Sequence, residues 1–157
     1  YEYGLGCLSE NGVDVLLSWD IERFLSVCTE AYDEQACSAG YASLSAKDRA
    51  YLRGMVLRAI GTDEEIDLIA AVMRANTVQV GQVMQNIAKV SAVFITTYEN
   101  LWDFTLANYH VGNQCVADGV TYLYNNEIPI TFENYCQLST TCPTACLFVE
   151  RVKGFIH

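Results

Sequence analysis

The sequence predicts an all-α fold, and three observations carry that reading. Apolar residues recur at spacings of three and four, and no convincing alternation at period two is present. Only two prolines, Pro129 and Pro143, interrupt 157 residues, which leaves room for long helices. Capping residues stand ahead of several apolar runs and glycines behind them. About six to eight helices are expected on these patterns.

The first helix is expected over about Val13 to Tyr32, because Leu17, Ile21, Leu25 and Cys28 share one face with Phe24 and Val27 beside them. Cys37 follows nine positions after Cys28, across a turn-like Ser38-Ala39-Gly40, so a local Cys28–Cys37 staple is geometrically reasonable. Ser45-Ala46-Lys47-Asp48 has the form of a capping box and opens a helix carrying Leu52, Met55, Val56 and Ile60, with Gly61 as its stop. Thr62-Asp63-Glu64-Glu65 is a closer capping box, its acids placed where the helix dipole favours them. The helix it starts runs through Ile66, Ile69, Ala70 and Met73. Periodicity resumes after Gly81 through Val83, Ile87, Val90 and Phe94. Further helices are expected over Leu101 to Val111 and Val116 to Tyr124. Asn125-Asn126 and Pro129 break the chain, Thr131 caps a turn into Tyr135, and Pro143 begins a last helix through Phe148, Val149 and Val152.

Just over half the residues are hydrophobic, enough for a proper core, and the net charge is −10. Such a surface repels phosphate backbones and anionic headgroups, which argues against nucleic-acid and membrane-surface partners. No uninterrupted apolar stretch reaches the roughly 18 residues of a spanning helix; Arg74, Asn76, Gln82, Gln85 and Lys89 break up the most hydrophobic region. The start at Tyr1 reads as a processed N-terminus. Gly4-Leu5-Gly6-Cys7 faintly resembles a lipoprotein cleavage box, but a lipidated cysteine would itself be residue one.

Seven cysteines in so short a chain point to an oxidising compartment, hence a secreted, extracellular or cell-envelope location. An odd count leaves at least one cysteine free or bonded to another chain, and about 105 pairing schemes are open. The disulfide candidates are Cys28, Cys37, Cys115, Cys136, Cys142 and Cys146. Cys7 is the candidate for a free or intermolecular thiol. A zinc reading of Cys136, Cys142 and Cys146 lacks paired C-x-x-C spacing, and His110 and His157 are the only histidines, so disulfides are favoured. No motif calls for a metal or an organic cofactor, and no N-glycosylation sequon occurs.

Leu106-Ala107-Asn108-Tyr109-His110-Val111-Gly112 is the first string that suggests chemistry. It resembles the A-L-A-A-Y-N-A-G signature of the lytic transglycosylases, the goose-type-lysozyme-related enzymes that cleave peptidoglycan. Four further strings follow the family's order. Asp67-Leu68-Ile69-Ala70-Ala71-Val72-Met73-Arg74-Ala75-Asn76-Thr77 is similar to the helix that carries the catalytic glutamate. Gly81-Gln82-Val83-Met84-Gln85 is similar to G-L-M-Q with one extra residue. Asn86-Ile87-Ala88-Lys89 through Phe94 is similar to N-I-x-x-G-x-x-Y-L, and Phe148-Val149-Glu150-Arg151-Val152 to Y-V-x-R-V. The resemblance covers about Thr62 to Phe155. It implies a lysozyme-like helical core over 62–157, with the helix Leu101–Val111 at its centre, and an N-terminal helical extension over 1–61.

The departures decide what the resemblance implies for activity. The family's catalytic glutamate falls on Asn76, and its following serine on Thr77. An amide cannot protonate a glycosidic oxygen, and acid–base catalysis supplies roughly 10²- to 10⁴-fold. Only Val78, Gln79 and Val80 separate Thr77 from Gly81, where the family has a loop of about a dozen residues that helps wall the glycan groove. His110 replaces the family's asparagine, while Tyr109 matches the tyrosine near the acid. Thr77, Gln85, Tyr109 and His110 are thus vestigial neighbours of a lost catalytic position.

The resulting expectation is a pseudoenzyme: a secreted structural or assembly subunit, or a binding module, that associates with itself or with another extracellular protein and has glycan or peptidoglycan as its implied ligand class. The alternative is an active transglycosylase with a displaced acid, for which Glu64 and Glu65 are closest in sequence. A third reading is a secreted helical domain outside the family. Tyr41, Tyr98, Tyr122 and Tyr124 could serve as sugar-stacking or interface aromatics, and the segment Tyr1–Tyr41 is expected to contribute to assembly.

Overall fold

The computed structural model describes residues 2–3, 8–138 and 142–155. The architecture is all-α, with nine α-helices among the described residues. The one strand pairing joins two-residue segments, β1 (Glu2–Tyr3) and β2 (Leu8–Ser9), antiparallel. The chain divides into two compact units, Tyr1–Ala75 and Asn76–His157. The division falls inside a helix, whereas the sequence places a boundary at Gly61–Thr62. Cys7 and His157 lie outside the described residues, as do Tyr1 and the Gly4–Gly6 string.

In the first unit α1 (Glu10–Trp19), α2 (Ile21–Thr29), α3 (Glu34–Ser38) and α4 (Ala46–Val56) surround Leu16, Leu17, Phe24 and Leu52. The single helix expected over Val13 to Tyr32 is two helices, because Asp20 leaves helical geometry and its carboxylate accepts from Arg23 N at 2.9 Å as the N-cap of α2. That break resets the angular register. Phe24 and Cys28 face inward, while Ile21 and Leu25 are exposed. Ser9 and Asp33 cap α1 and α3 in the same manner. Ser45 caps α4 through Asp48 N, and the helix gives way at Val56 to a single 3₁₀ turn. Cys28 and Cys37 are bonded, tying α2 to α3.

A part-buried polar cluster links α1, Tyr41 and α4 in this unit. The Tyr41 hydroxyl donates to Asp14, and Arg53 Nη1 donates to both oxygens of the same carboxylate at 3.0 and 3.1 Å. Burial, then the Asp14 hydrogen bond, pushes the Tyr41 phenol well above its ordinary pKa. Tyr41 is therefore committed to the core and cannot stack on a sugar.

Helix α5 (Glu65–Ala88) is continuous for 24 residues. It runs straight through Val78, Gln79, Val80 and Gly81, where the sequence pattern had the helix end after Met73 and the periodicity resume only after Gly81. A helix interior tolerates one glycine at about 1 kcal/mol, and the flanking valines and glutamines keep the pattern going. Its inward face in the first unit is Leu68, Ala71, Val72 and Ala75, not the Ile66–Ala70 face read from spacing; Ile66 and Ala70 are exposed. The helix stops at Ala88 because Lys89 takes a left-handed conformation at φ 60°, so Val90 and Phe94 lie beyond it. Ala92–Phe94 forms a 3₁₀ turn.

In the second unit α6 (Tyr98–Val111), α7 (Asn113–Asn125), α8 (Phe132–Leu138) and α9 (Pro143–Gly154) follow. Thr97 caps α6. Gly112, at φ 86°, ends it and starts α7, a backbone conformation that costs glycine nothing. Phe104 lies edge-on to Phe132 and Tyr135, at 5.3 and 5.5 Å between ring centroids. Gly119 on α7 lets the Tyr135 ring approach its backbone closely. Two disulfides brace the end of the chain: Cys115–Cys142 ties α7 to the N-cap of α9, and Cys136–Cys146 ties α8 to α9. The zinc triad is thereby consumed in bonds, and no cluster of metal-ligating side chains occurs among the described residues.

Candidate functional site

Asn76 sits midway along α5, on the face turned to α6. It is 1 % exposed, and Asn108 on α6 is 2 % exposed. Asn108 Nδ2 donates to Asn76 Oδ1 at 2.7 Å and to Gln79 Oε1 at 2.8 Å. Both amide hydrogens are thus used, which fixes the orientation of the Asn108 amide. Its Oδ1 is enclosed and meets no donor among the described residues. One turn away, Thr105 donates to the Leu101 carbonyl at 2.8 Å and lies 3.3 Å from the Thr77 hydroxyl.

The position matched to the catalytic acid is therefore a sealed helix junction rather than the floor of a groove. Its members are amides and hydroxyls, and none of them titrates near neutral pH. The cluster can set how α5 meets α6, because buried polar groups must find their partners or lose roughly 1–3 kcal/mol each. It cannot deliver a proton.

The other site residues are placed as follows. Gln85 is exposed, and Tyr109 is half-buried. His110 stacks flat on Phe148, with centroids 4.4 Å apart and planes 5° from parallel, as a surface contact between α6 and α9. Among the expected aromatics Tyr98, Tyr122 and Tyr124 are exposed, while Tyr41 is buried. Glu65 is buried and accepts from Gly61 N at 2.8 Å, which ties the first residue of α5 back to the turn before it; this is not the Thr62–Glu65 capping box read from the sequence, because the bond skips Thr62 and Glu65 opens the helix. Glu64 is exposed on the rim of a polar hollow of about 740 Å³ that also takes in Arg23, Glu30, Arg58, Asp63 and Asp67.

Sequence reasoning missed Asn108 as Asn76's partner, and Gln79 as the second acceptor of the same amide. A signal for Asn108 exists: it is the one amide in the run Phe104–Val111, a helix stretch otherwise mostly apolar. Also missed was Asp103, a buried carboxylate that accepts from Lys153 Nζ at 2.9 Å and holds that ammonium above its ordinary pKa, with Glu99 3.6 Å from it.

Comparison with protein-family models, with curated proteins and with solved structures returns no match. No helix among the described residues is long and apolar enough to cross a membrane.

Proposed function

We propose that this chain is a non-catalytic, transglycosylase-like helical protein that serves as a structural subunit or binding module in an oxidising, extracellular setting. One observation carries the reading: the residue at the acid's place is an amide, Asn76, closed off from solvent by Asn108 and Gln79. A protein without proton-donating chemistry at that position acts through its surface. Three disulfides among the described residues suit the compartment. Among the described residues Val90, Val93, Phe94 and Tyr98 are exposed close together along the chain, and neighbouring exposed apolar side chains suit a protein that works by contact.

The test has two arms. Purified protein incubated with peptidoglycan releases no muropeptides above buffer, and light scattering with and without reductant gives a mass above that of one chain. Muropeptide release that depends on Glu64 or Glu65 would show that the acid has moved. A single-chain mass at high concentration in both conditions would remove the assembly role.

A further inference from the structure

Two short segments of the second unit form an apolar face that the helices leave uncovered. The first, residues 90–98, contains no charged side chain; Val93 is 72 % exposed, and Phe94 and Tyr98 are each 80 % exposed. The second is the Ile128-Pro129-Ile130 loop. Thr96 Oγ1 donates to the Ile130 carbonyl at 2.6 Å and joins the two, while Asn100 Oδ1 accepts from Phe132 N at 2.7 Å just below. Ile95, Pro129 and Ile130 line both a hollow of about 280 Å³ and one of about 600 Å³. Val93 and Phe94 stand at the edge of the smaller, and Tyr124 at the edge of the larger. Among the described residues the non-glycine positions with positive φ are Lys89 and Glu127. Each immediately precedes one of these two segments.

We infer that this face is where a second copy of the chain docks, Phe94 of each copy entering the hollow beside Ile95 and Pro129 of the other. The inference rests on the assembly reading and names its contact. Three arguments select a second copy. A ridge beside a hollow on one face is self-complementary, as a two-fold contact requires. Two chains of net charge −10 repel each other, and Glu127 is the one charged residue lining either hollow, so copies approach here with least repulsion. The area counts toward a dimer as well: two rings at four-fifths exposure supply about 300 Å² of the roughly 800 Å² per partner of a standard interface, and Val90, Val93, Ile95, Ile128 and Pro129 adjoin them and add to it. The hydrogen bonds that join the segments hold the face ready, which lowers the ordering cost of docking. The segment Tyr1–Tyr41 is not needed for this contact.

The experiment is sedimentation equilibrium of the full chain, native and with Phe94→Glu, against Ile66→Glu as a control that adds the same charge at a comparably exposed apolar residue elsewhere. Wild-type protein and Ile66→Glu form dimers of twice 17.5 kDa. Their dissociation constant falls as salt rises from 20 to 500 mM, on the order of tenfold, because screening relieves like-charge repulsion. Phe94→Glu weakens the dimer at least about 100-fold, as a charge buried opposite its symmetry mate would, while its circular dichroism, and its melting temperature at a dilution where both proteins are monomers, stay at the wild-type values. A dimer that survives Phe94→Glu, or that only reductant dissolves, overturns the inference and leaves assembly standing. A wild-type chain that stays monomeric at all salt concentrations overturns both.

Discussion

Substituting Gly119 by alanine tests how tightly the second unit is packed. A Cβ at residue 119 would lie 2.2 Å from Tyr135 Cε2 and 2.4 Å from Cδ2. Non-bonded carbons settle at about 3.5–4.0 Å, so the ring or the α7 backbone must move by more than about 1 Å. Tyr135 cannot swing aside. It is fully buried, with Phe104 edge-on at 5.5 Å and Phe132 stacked at 5.4 Å. Overpacking costs about 1–3 kcal/mol, about 2–3 kcal/mol for contacts as short as these, and alanine returns up to about 1 kcal/mol of helix propensity. The net loss is about 1–2 kcal/mol, which for a chain of this length lowers the melting temperature by roughly 2–8 °C. Gly81→Ala is the contrast, since a Cβ there meets no described atom within 4 Å; it should raise the melting temperature by a few degrees, on the order of the propensity gain. Thermal unfolding followed by circular dichroism separates the two. A Gly119→Ala protein that melts at or above the wild-type temperature would refute the packing argument.

Two further outcomes follow from the buried polar groups. Asn76→Asp puts a carboxylate into the sealed junction, and burial raises its folded pKa above the unfolded value near 4. The variant's stability relative to wild type is therefore fullest below about pH 4 and lost as pH rises; chemical denaturation should show a deficit of about 2–4 kcal/mol at pH 7 that shrinks at pH 4, and an equal deficit at both would show that the site is open to water. Tyr41, held protonated by burial and by Asp14, contributes stability that is full below the ordinary tyrosine pKa near 10 and drains away above it as the unfolded chain ionises. Tyr41→Phe should flatten the fall in melting temperature between about pH 9 and 11, and parallel curves for the two proteins would contradict the assignment.

The helical class was legible because it rests on local signals. Ser45, Asp20, Thr97 and Gly112 act through bonds to neighbours three or four residues away, and sequence displays those directly. Helix ends and faces were less legible. Asp20 reads as one more polar residue on a helix until its side chain is seen to cap the next one, and from there every inward position shifts. Conversely, Gly81 reads as a break, yet α5 passes through it because the helix is held on both sides of that residue. Cys28–Cys37 followed from spacing, whereas Cys115–Cys142 joins residues 27 apart that only the meeting of α7 with α9 brings together.

At the candidate site the letters and the packing carry different information. The strings around Asn76 and Tyr109 say which residue types occur in which order. They do not say whether solvent reaches them. Asn108 decides that: an asparagine whose amide bridges Asn76 and Gln79 closes the junction, and no pattern along the chain pairs residues 32 positions apart. A groove can lose its acid and keep its shape, remaining a glycan-binding site, or lose both. Here α5 runs unbroken from Glu65 to Ala88, and Asn108 bridges Asn76 and Gln79 where α5 meets α6, so Asn76 is closed to solvent. Restoring the acid alone by Asn76→Glu would thus bury a charge without making a site. The exposed rings of the second unit lie elsewhere: Phe94 and Tyr98 stand out from residues 90–98, which carry no charge. Catalysis at Asn76 would need α5 and α6 to part, while contact at Phe94 needs nothing in the fold to move.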